Sequence, residues 1–141
     1  MPQPRILVGD DNGTILERVK LLLSEEFQVV GAVDDGWALI DRAVELKPDI
    51  VVVDVCIPGC GGVNIALEIR RRVPDAGIVF LSMIQSAGLC EDVLAAGALG
   101  YVLKERASTD LIPAIRKALA GSCYISPRAA SGRPANRTGA R

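Results

Sequence analysis

Short runs of branched aliphatic residues alternate along the chain with longer segments whose apolar positions recur every three or four residues. That alternation is the mark of a parallel sheet covered by helices on both faces. Five runs have this character, at residues 5–9, 28–33, 49–54, 77–82 and 99–103. The first helix is expected to begin near Asn12 or Gly13, with Ile15, Val19, Leu22 and Leu23 on one face and Glu17, Arg18 and Lys20 turned away. A second, at about 36–46, draws on Trp37, Leu39, Ile40, Ala43, Val44 and Leu46 and stops before Pro48, because the residue preceding proline avoids the α region. A third, 63–73, offers Ile65, Leu67 and Ile69 to the core and places Arg70, Arg71 and Arg72 at its C-terminus, where cations suit the helix dipole. The fourth, about 87–96, has small side chains and is expected to be loosely held. A fifth, about 109–120, rests on Leu111, Ile112, Ile115 and Leu119, with Pro113 tolerated in the first turn and Gly121 as a stop. The fold class is α/β: a doubly wound five-stranded parallel sheet, order 2-1-3-4-5, with five helices.

The 141 residues suit one domain. Residues 4–126 are expected to fold, and 127–141, rich in Arg, Ala, Ser and Gly without apolar period, to form a disordered basic tail or a truncated linker. Half the residues are hydrophobic and only 4% aromatic, so the core is aliphatic; a net charge of −1 gives no global attraction to nucleic acid or anionic membranes. Histidine is absent, which excludes imidazole bases, His-ligated metals and a phosphohistidine donor within this chain. The four cysteines, at 56, 60, 90 and 123, form no Cys-x-x-Cys pair and read as free thiols of a reducing compartment. With no apolar leader and no membrane-length run, the protein is expected in the cytoplasm.

The strand ends carry the chemistry. Ile50-Val51-Val52-Val53 runs straight into Asp54, and a carboxylate closing a fully apolar strand is costly unless it sits at an edge or has a role. Residues 5–9 lead into Asp10 and Asp11, Ile78-Val79-Phe80-Leu81 into Ser82, and Leu99-Gly100-Tyr101-Val102-Leu103 into Lys104. Strand order 2-1-3-4-5 gathers all of them at one carboxyl edge. Three crowded carboxylates call for a hard divalent cation, and Mg²⁺ with its oxygen ligands, waters and a substrate phosphate fits best. Phosphoryl transfer follows, with Asp54 as nucleophile, Lys104 neutralising charge and Ser82 donating a hydrogen bond to the new phosphoryl group. Taken singly, Asp10-Asp11 also reads as a solvated turn or helix cap, Lys104 as a snorkelling surface residue and Ser82 as a turn former.

Together these residues resemble the receiver domain of two-component response regulators over about residues 4–126. Gly97-Ala98-Leu99-Gly100-Tyr101-Val102-Leu103-Lys104 and Tyr124-Ile125-Ser126-Pro127 are similar to the LuxR/NarL-type subfamily. The resemblance implies a flavodoxin-like receiver fold, Asp54 as phosphoacceptor, and Asp10 and Asp11 as the Mg²⁺-binding pair. It further implies the backbone carbonyl of Cys56 as another metal ligand, Ser82 and Lys104 as catalytic partners, and Ser82 with Tyr101 as the switch, the ring rotating inward once Ser82 moves. The implied function is a phosphorylation-dependent switch, not a turnover enzyme, fed by a histidine kinase or a small phosphodonor. Homodimerisation on phosphorylation is implied as well. That subfamily regulates transcription through a helix-turn-helix domain absent here, so DNA binding is not expected from this chain alone. Departures are Cys56 and Cys60 where methionine or leucine is usual, and Glu105 where many receivers have proline. A stand-alone interaction module is an alternative. An aspartyl-nucleophile phosphohydrolase would need a second Asp where Cys56 stands, and a flavodoxin-like cofactor site would be repelled by Asp10-Asp11.

Overall fold

The structure is a computed structural model and describes residues 2–127; of the tail expected at 127–141, all but Pro127 lies outside the described residues. The chain runs β1 (Arg5–Gly9), α1 (Gly13–Leu23), β2 (Gln28–Val33), α2 (Gly36–Leu46), β3 (Ile50–Asp54), α3 (Gly62–Arg72), β4 (Gly77–Ser82), α4 (Ala87–Ala95), β5 (Gly100–Leu103), a 3₁₀ turn (Lys104–Arg106), α5 (Ala107–Leu119) and β6 (Tyr124–Ile125). The sheet order is β2-β1-β3-β4-β5-β6, parallel at every pairing. This is the expected 2-1-3-4-5 arrangement with one short strand added beyond β5.

Side chains alternate across a strand, so each buried run divides between two cores. Leu7, Val51, Val53, Ile78, Phe80 and Tyr101 face α2, α3 and α4, joined there by Leu39, Ile40, Ile65, Ile69 and Val93. Ile6, Val8, Val52, Val79, Leu81 and Val102 face α1 and α5, meeting Val19, Leu23, Leu111 and Ile115. All five residues of β3 are buried, so the central strand presents Asp54 at its tip and only apolar surface behind it. The α1 helix is capped by Asn12, whose side chain accepts from the amides of Thr14 and Ile15; Asp35 and Ser86 cap α2 and α4 in the same manner.

Several expected positions differ. Leu67 is half exposed, because a residue two places from Ile65 and Ile69 cannot share their helix face. Trp37, Val44 and Leu119 also lie on outer faces. The α5 helix starts at Ala107, continuing the Lys104–Arg106 turn, so Pro113 falls inside the helix rather than in its first turn. The bond it cannot donate would have gone to the Thr109 carbonyl. At the end of α4, Gly97 adopts φ +110°, and a Cβ there would lie 2.2 Å from Arg70 Cδ. Arg70 Nη1 donates to the Ala96 carbonyl at 2.9 Å, tying the end of α3 to the end of α4.

The loop after β3 is fixed against α2. Gly36 N donates to Pro58 O at 2.8 Å, and a Cβ on Gly36 would lie 1.8 Å from the Cys60 carbonyl oxygen. Backbone cannot yield as a flexible side chain does. Gly36→Ala is expected to lower stability by about 3 kcal/mol or more, at the upper end of overpacking costs, read as the midpoint of urea unfolding; a variant matching wild type would show that the loop moves freely.

Candidate functional site

The turn after β1 and the turn after β3 orient their acids in the same way. Asp10 Oδ1 accepts from the Asn12 amide at 2.8 Å and Asp54 Oδ1 from the Cys56 amide at 3.2 Å, each two residues downstream. The second oxygen of each carboxylate then faces the end of β5. Lys104 Nζ lies 2.8 Å from Asp10 Oδ2 and 3.4 Å from Asp54 Oδ2, bridging two strand tips from a third. Because Asn12 is the helix cap, neither Asp10 nor Asp11 is spent on that duty. Asp10 and Asp54 are buried, while Asp11 is exposed.

One ligand oxygen from each of Asp10, Asp11 and Asp54 lies within 4.8 Å of the other two. Three carboxylates against one ammonium leave the pocket net negative. Asp10 Oδ2 is buried and accepts no well-directed hydrogen bond among the described residues; the Lys104 ammonium, 2.8 Å away, is its close ionic neighbour. A buried anionic oxygen whose close partner is a single ammonium shared with Asp54, beside two more carboxylates, fits a hard cation, so the acidic pocket can bind a metal ion. Burial raises the Asp54 pKa above its ordinary value; the Cys56 amide and Lys104 oppose that rise and the charge of Asp10 adds to it.

Ser82 and Tyr101 form a separate group behind the acids. The Tyr101 hydroxyl lies 3.0 Å from both Ser82 Oγ and the Ile84 carbonyl, and Ile84 N donates to Ser82 Oγ at 2.9 Å. Among the described residues Ser82 makes no hydrogen bond to Asp54; its hydroxyl turns into the 82–84 turn. The Tyr101 ring is held inward and fully buried, where the reading by resemblance has it rotating from outside. Burial raises its pKa, the bond with Ser82 opposing, so the phenol stays a proton donor. Cys56 is exposed and Cys60 buried; all four cysteines are free. The sequence reading missed the groove that opens from Lys104 along α1, about 480 Å³, lined by Ile15, Leu22, Met83 and Ala107 among others. Its signal was the apolar face of α1, assigned wholly to the core.

Residues 6–116 match the family model described as the response regulator receiver domain. The chain is 36% identical over 128 residues to the response regulator GacA of Pseudomonas viridiflava, covering 89% of this chain and 60% of that protein. It thus spans about three-fifths of such a relative's length. Among solved structures it is similar to a LuxR-family two-component response regulator from Aurantimonas sp. SI85-9A1, with 32% identity, TM-score 0.86 and coverage of 92% and 94% of the two chains. It is also similar to the isolated REC domain of RcsB from Salmonella enterica serovar Typhimurium, solved in the presence of phosphomimetic BeF3⁻, with 27% identity, TM-score 0.82 and coverage of 92% and 97%.

Because burial raises the Asp54 pKa, the folded state holds its proton more tightly than the unfolded chain. Stability therefore falls as pH rises through the window above the usual 3.8. In chelator-containing buffer, Asp54→Asn is expected to unfold at higher urea than wild type at neutral pH. The gap should narrow as pH falls towards the unfolded carboxylate range; an equal or lower midpoint at neutral pH would contradict the assigned burial cost.

Proposed function

The chain belongs to the response regulator receiver family, and from that premise we propose that it is a phosphorylation-dependent signalling switch whose phosphoacceptor is Asp54. The observation that carries the reading is the Lys104 ammonium spanning Asp10 Oδ2 and Asp54 Oδ2 beside Asp11 at one sheet edge. A histidine kinase phosphohistidine, or a small acyl phosphate, is the donor. The Asp54 carboxylate attacks phosphorus, the P–N or P–O bond to the donor breaks, and the departing imidazole or carboxylate keeps the bonding pair. A new acyl phosphate forms on Asp54, and water later hydrolyses it. The chain is thus not a turnover enzyme; it catalyses only its own phosphorylation and dephosphorylation.

Asp10, Asp11, Asp54 and the backbone carbonyl of Cys56 would hold Mg²⁺. A bound Mg²⁺ supplies charge neutralisation on the phosphoryl oxygens. Lys104 supplies a second positive charge, held by its carboxylate neighbours until phosphoryl oxygens replace them. Ser82 is the hydroxyl that turns from Ile84 towards the phosphoryl group. That motion would release the Tyr101 hydroxyl to the Ile84 carbonyl alone and shift the 82–84 turn, where Met83 and Ile84 are exposed. The added charge of about −1.5 to −2 drives the change, and α4, which buries only Ala87, Cys90 and Val93, is the element most easily moved. The α4–β5–α5 surface is then the readout and the homodimer face.

The groove along α1 suits a helix of the kinase delivering its phosphohistidine to the Lys104 end. No described helix is long and apolar enough to cross a membrane, which accords with a cytoplasmic protein. Transcriptional output, as in the regulators it resembles, would rest on the part of those proteins that this chain does not span.

With Mg²⁺ and acetyl phosphate, wild type is expected to gain the mass of one phosphoryl group and Asp54→Asn none. Chelator should abolish the gain, and Lys104→Ala should slow it by about 10²-fold, the usual effect of removing one charge-stabilising donor. Phosphate on Asp54→Asn, or full labelling in chelator, would overturn the assignment.

A further inference from the structure

Lys104 is the first residue beyond the strand that carries it, so the fold must fix the chain on both sides for its ammonium to bridge two other strand tips. On one side, the amide of Leu103 donates to Ser126 Oγ at 3.1 Å, and Ser126 Oγ donates to Asp110 Oδ2 at 2.6 Å. On the other, the guanidinium of Arg106 donates to the same carboxylate, Nε to Oδ2 at 2.8 Å and Nη2 to Oδ1 at 3.2 Å. The residue before the lysine turn, through Ser126, and the last residue of the turn thus converge on one buried carboxylate. Ser126 reaches this place because β6 is added to the free side of β5: Tyr124 N donates to Leu99 O at 3.0 Å and Ser126 N to Tyr101 O at 2.9 Å.

Asp110 and Ser126 are each 2% exposed, and their side-chain hydrogen bonds among the described residues join Leu103, Arg106, Thr109 and one another rather than the acids of the sheet edge. Burial alone would raise the Asp110 pKa. Hydrogen bonds from Arg106 and Ser126, then Tyr124 and Thr109, outweigh it and hold the carboxyl below its ordinary value, so the anchor is a charged one. A buried charge with several directed donors has little freedom to shift, and that rigidity passes to whatever the donors are attached to.

We propose that Asp110 and Ser126 are positioning residues for phosphoryl transfer: the Asp110–Ser126 pair clamps both ends of the Lys104 turn and so sets where the ammonium meets the phosphoryl group. The inference rests on the reading of Asp54 as phosphoacceptor. It also makes the 124–126 segment a working part of the receiver, since without β6 the outer side of β5 has no partner for the amide next to Lys104.

The experiment uses the full chain with acetyl phosphate, measuring the limiting phosphorylation rate and, separately, the Mg²⁺ concentration giving half-maximal change in Trp37 fluorescence; Trp37 is the single tryptophan and abuts Gly59 in the loop after Asp54. Ser126→Ala is expected to lower the limiting rate on the order of tenfold, as misplacement of a reacting group does, with the Mg²⁺ midpoint unchanged. Asp110→Asn, which keeps the side-chain volume, serves as the second variant and should show the same split. An unchanged rate in both, or rate and Mg²⁺ midpoint moving together as in general loosening, would overturn the proposal. In wild type the Leu103 amide should be among the slowest of β5 to exchange with deuterium, and fast exchange there would overturn it whether or not the variants fold. If wild type takes up no phosphate at all, the reading of Asp54 has failed instead.

Discussion

The Lys104 ammonium between Asp10 and Asp54 is the constraint on which the rest of the structure depends. Two nearly buried carboxylates at adjacent strand tips repel one another and lose hydration, and the structure offers them one amide each and one shared cation. At 2.8 Å and an effective dielectric near 20, a single ion pair has a gross attraction of roughly 6 kcal/mol, before desolvation is subtracted. An attraction of that size is useful only if the ammonium stays put. The lysine comes from β5, two strands away from β3 across β4, so its reach depends on the register of three parallel pairings.

That register is secured by the two aliphatic cores. A slip by one residue would exchange the side chains facing α1 and α5 for those facing α2, α3 and α4, so each β3 side chain would meet the core shaped for its neighbour and Asp54 would leave its place at the strand tip. The apolar strands therefore do more than stabilise. They deliver polar tips to fixed positions, and the loops refine the aim: the Asn12 cap frees Asp10 and Asp11, and the 58–61 loop is held against α2 through Gly36.

What could be read from the sequence follows from the same physics. Asp54, Asp10, Asp11, Ser82 and Lys104 stood out because each ends an apolar run, and strand order placed them together without reference to any distance. The β1 to β5 spans matched within a residue, since a continuous aliphatic run is unambiguous at its polar end. Features that depend on distant partners were not legible. Two residues of β6 carry no periodicity, and the Asp110 to Ser126 bond joins positions whose local sequence describes only a helix and a turn. The early start of α5 was hidden by Pro113, which local rules place in a first turn. Leu67 was assigned by its apolarity rather than its angle round the helix. Ser82 closes β4 where the apolar run ends, yet its hydroxyl's partners, Tyr101 on β5 and Ile84 in the following turn, are set by a geometry that only the folded chain defines.

The distribution of rigidity across the sheet then has a direction. On the β2 side, the edge strand is only partly buried and its pairing with β1 shifts register between Ile6 and Leu7, with no site residue beyond β1. On the β4 to β6 side stand Ser82, Tyr101 and Lys104, each within one residue of a contact that leads outward: Ser82 to the 82–84 turn, Tyr101 through its carbonyl to Ser126, Lys104 through Leu103 and Arg106 to Asp110. In the proposed switch, a charge placed on Asp54 would act on the half of the molecule whose connections continue to α4 and to the end of the described chain at Pro127. Arg70, bonded to the last turn of α4, limits how far that helix can travel from α3. A motion begun at Ser82 in that proposed switch would be directed to the α4–β5–α5 side, because the two cores hold the register of the strands that aim the acids.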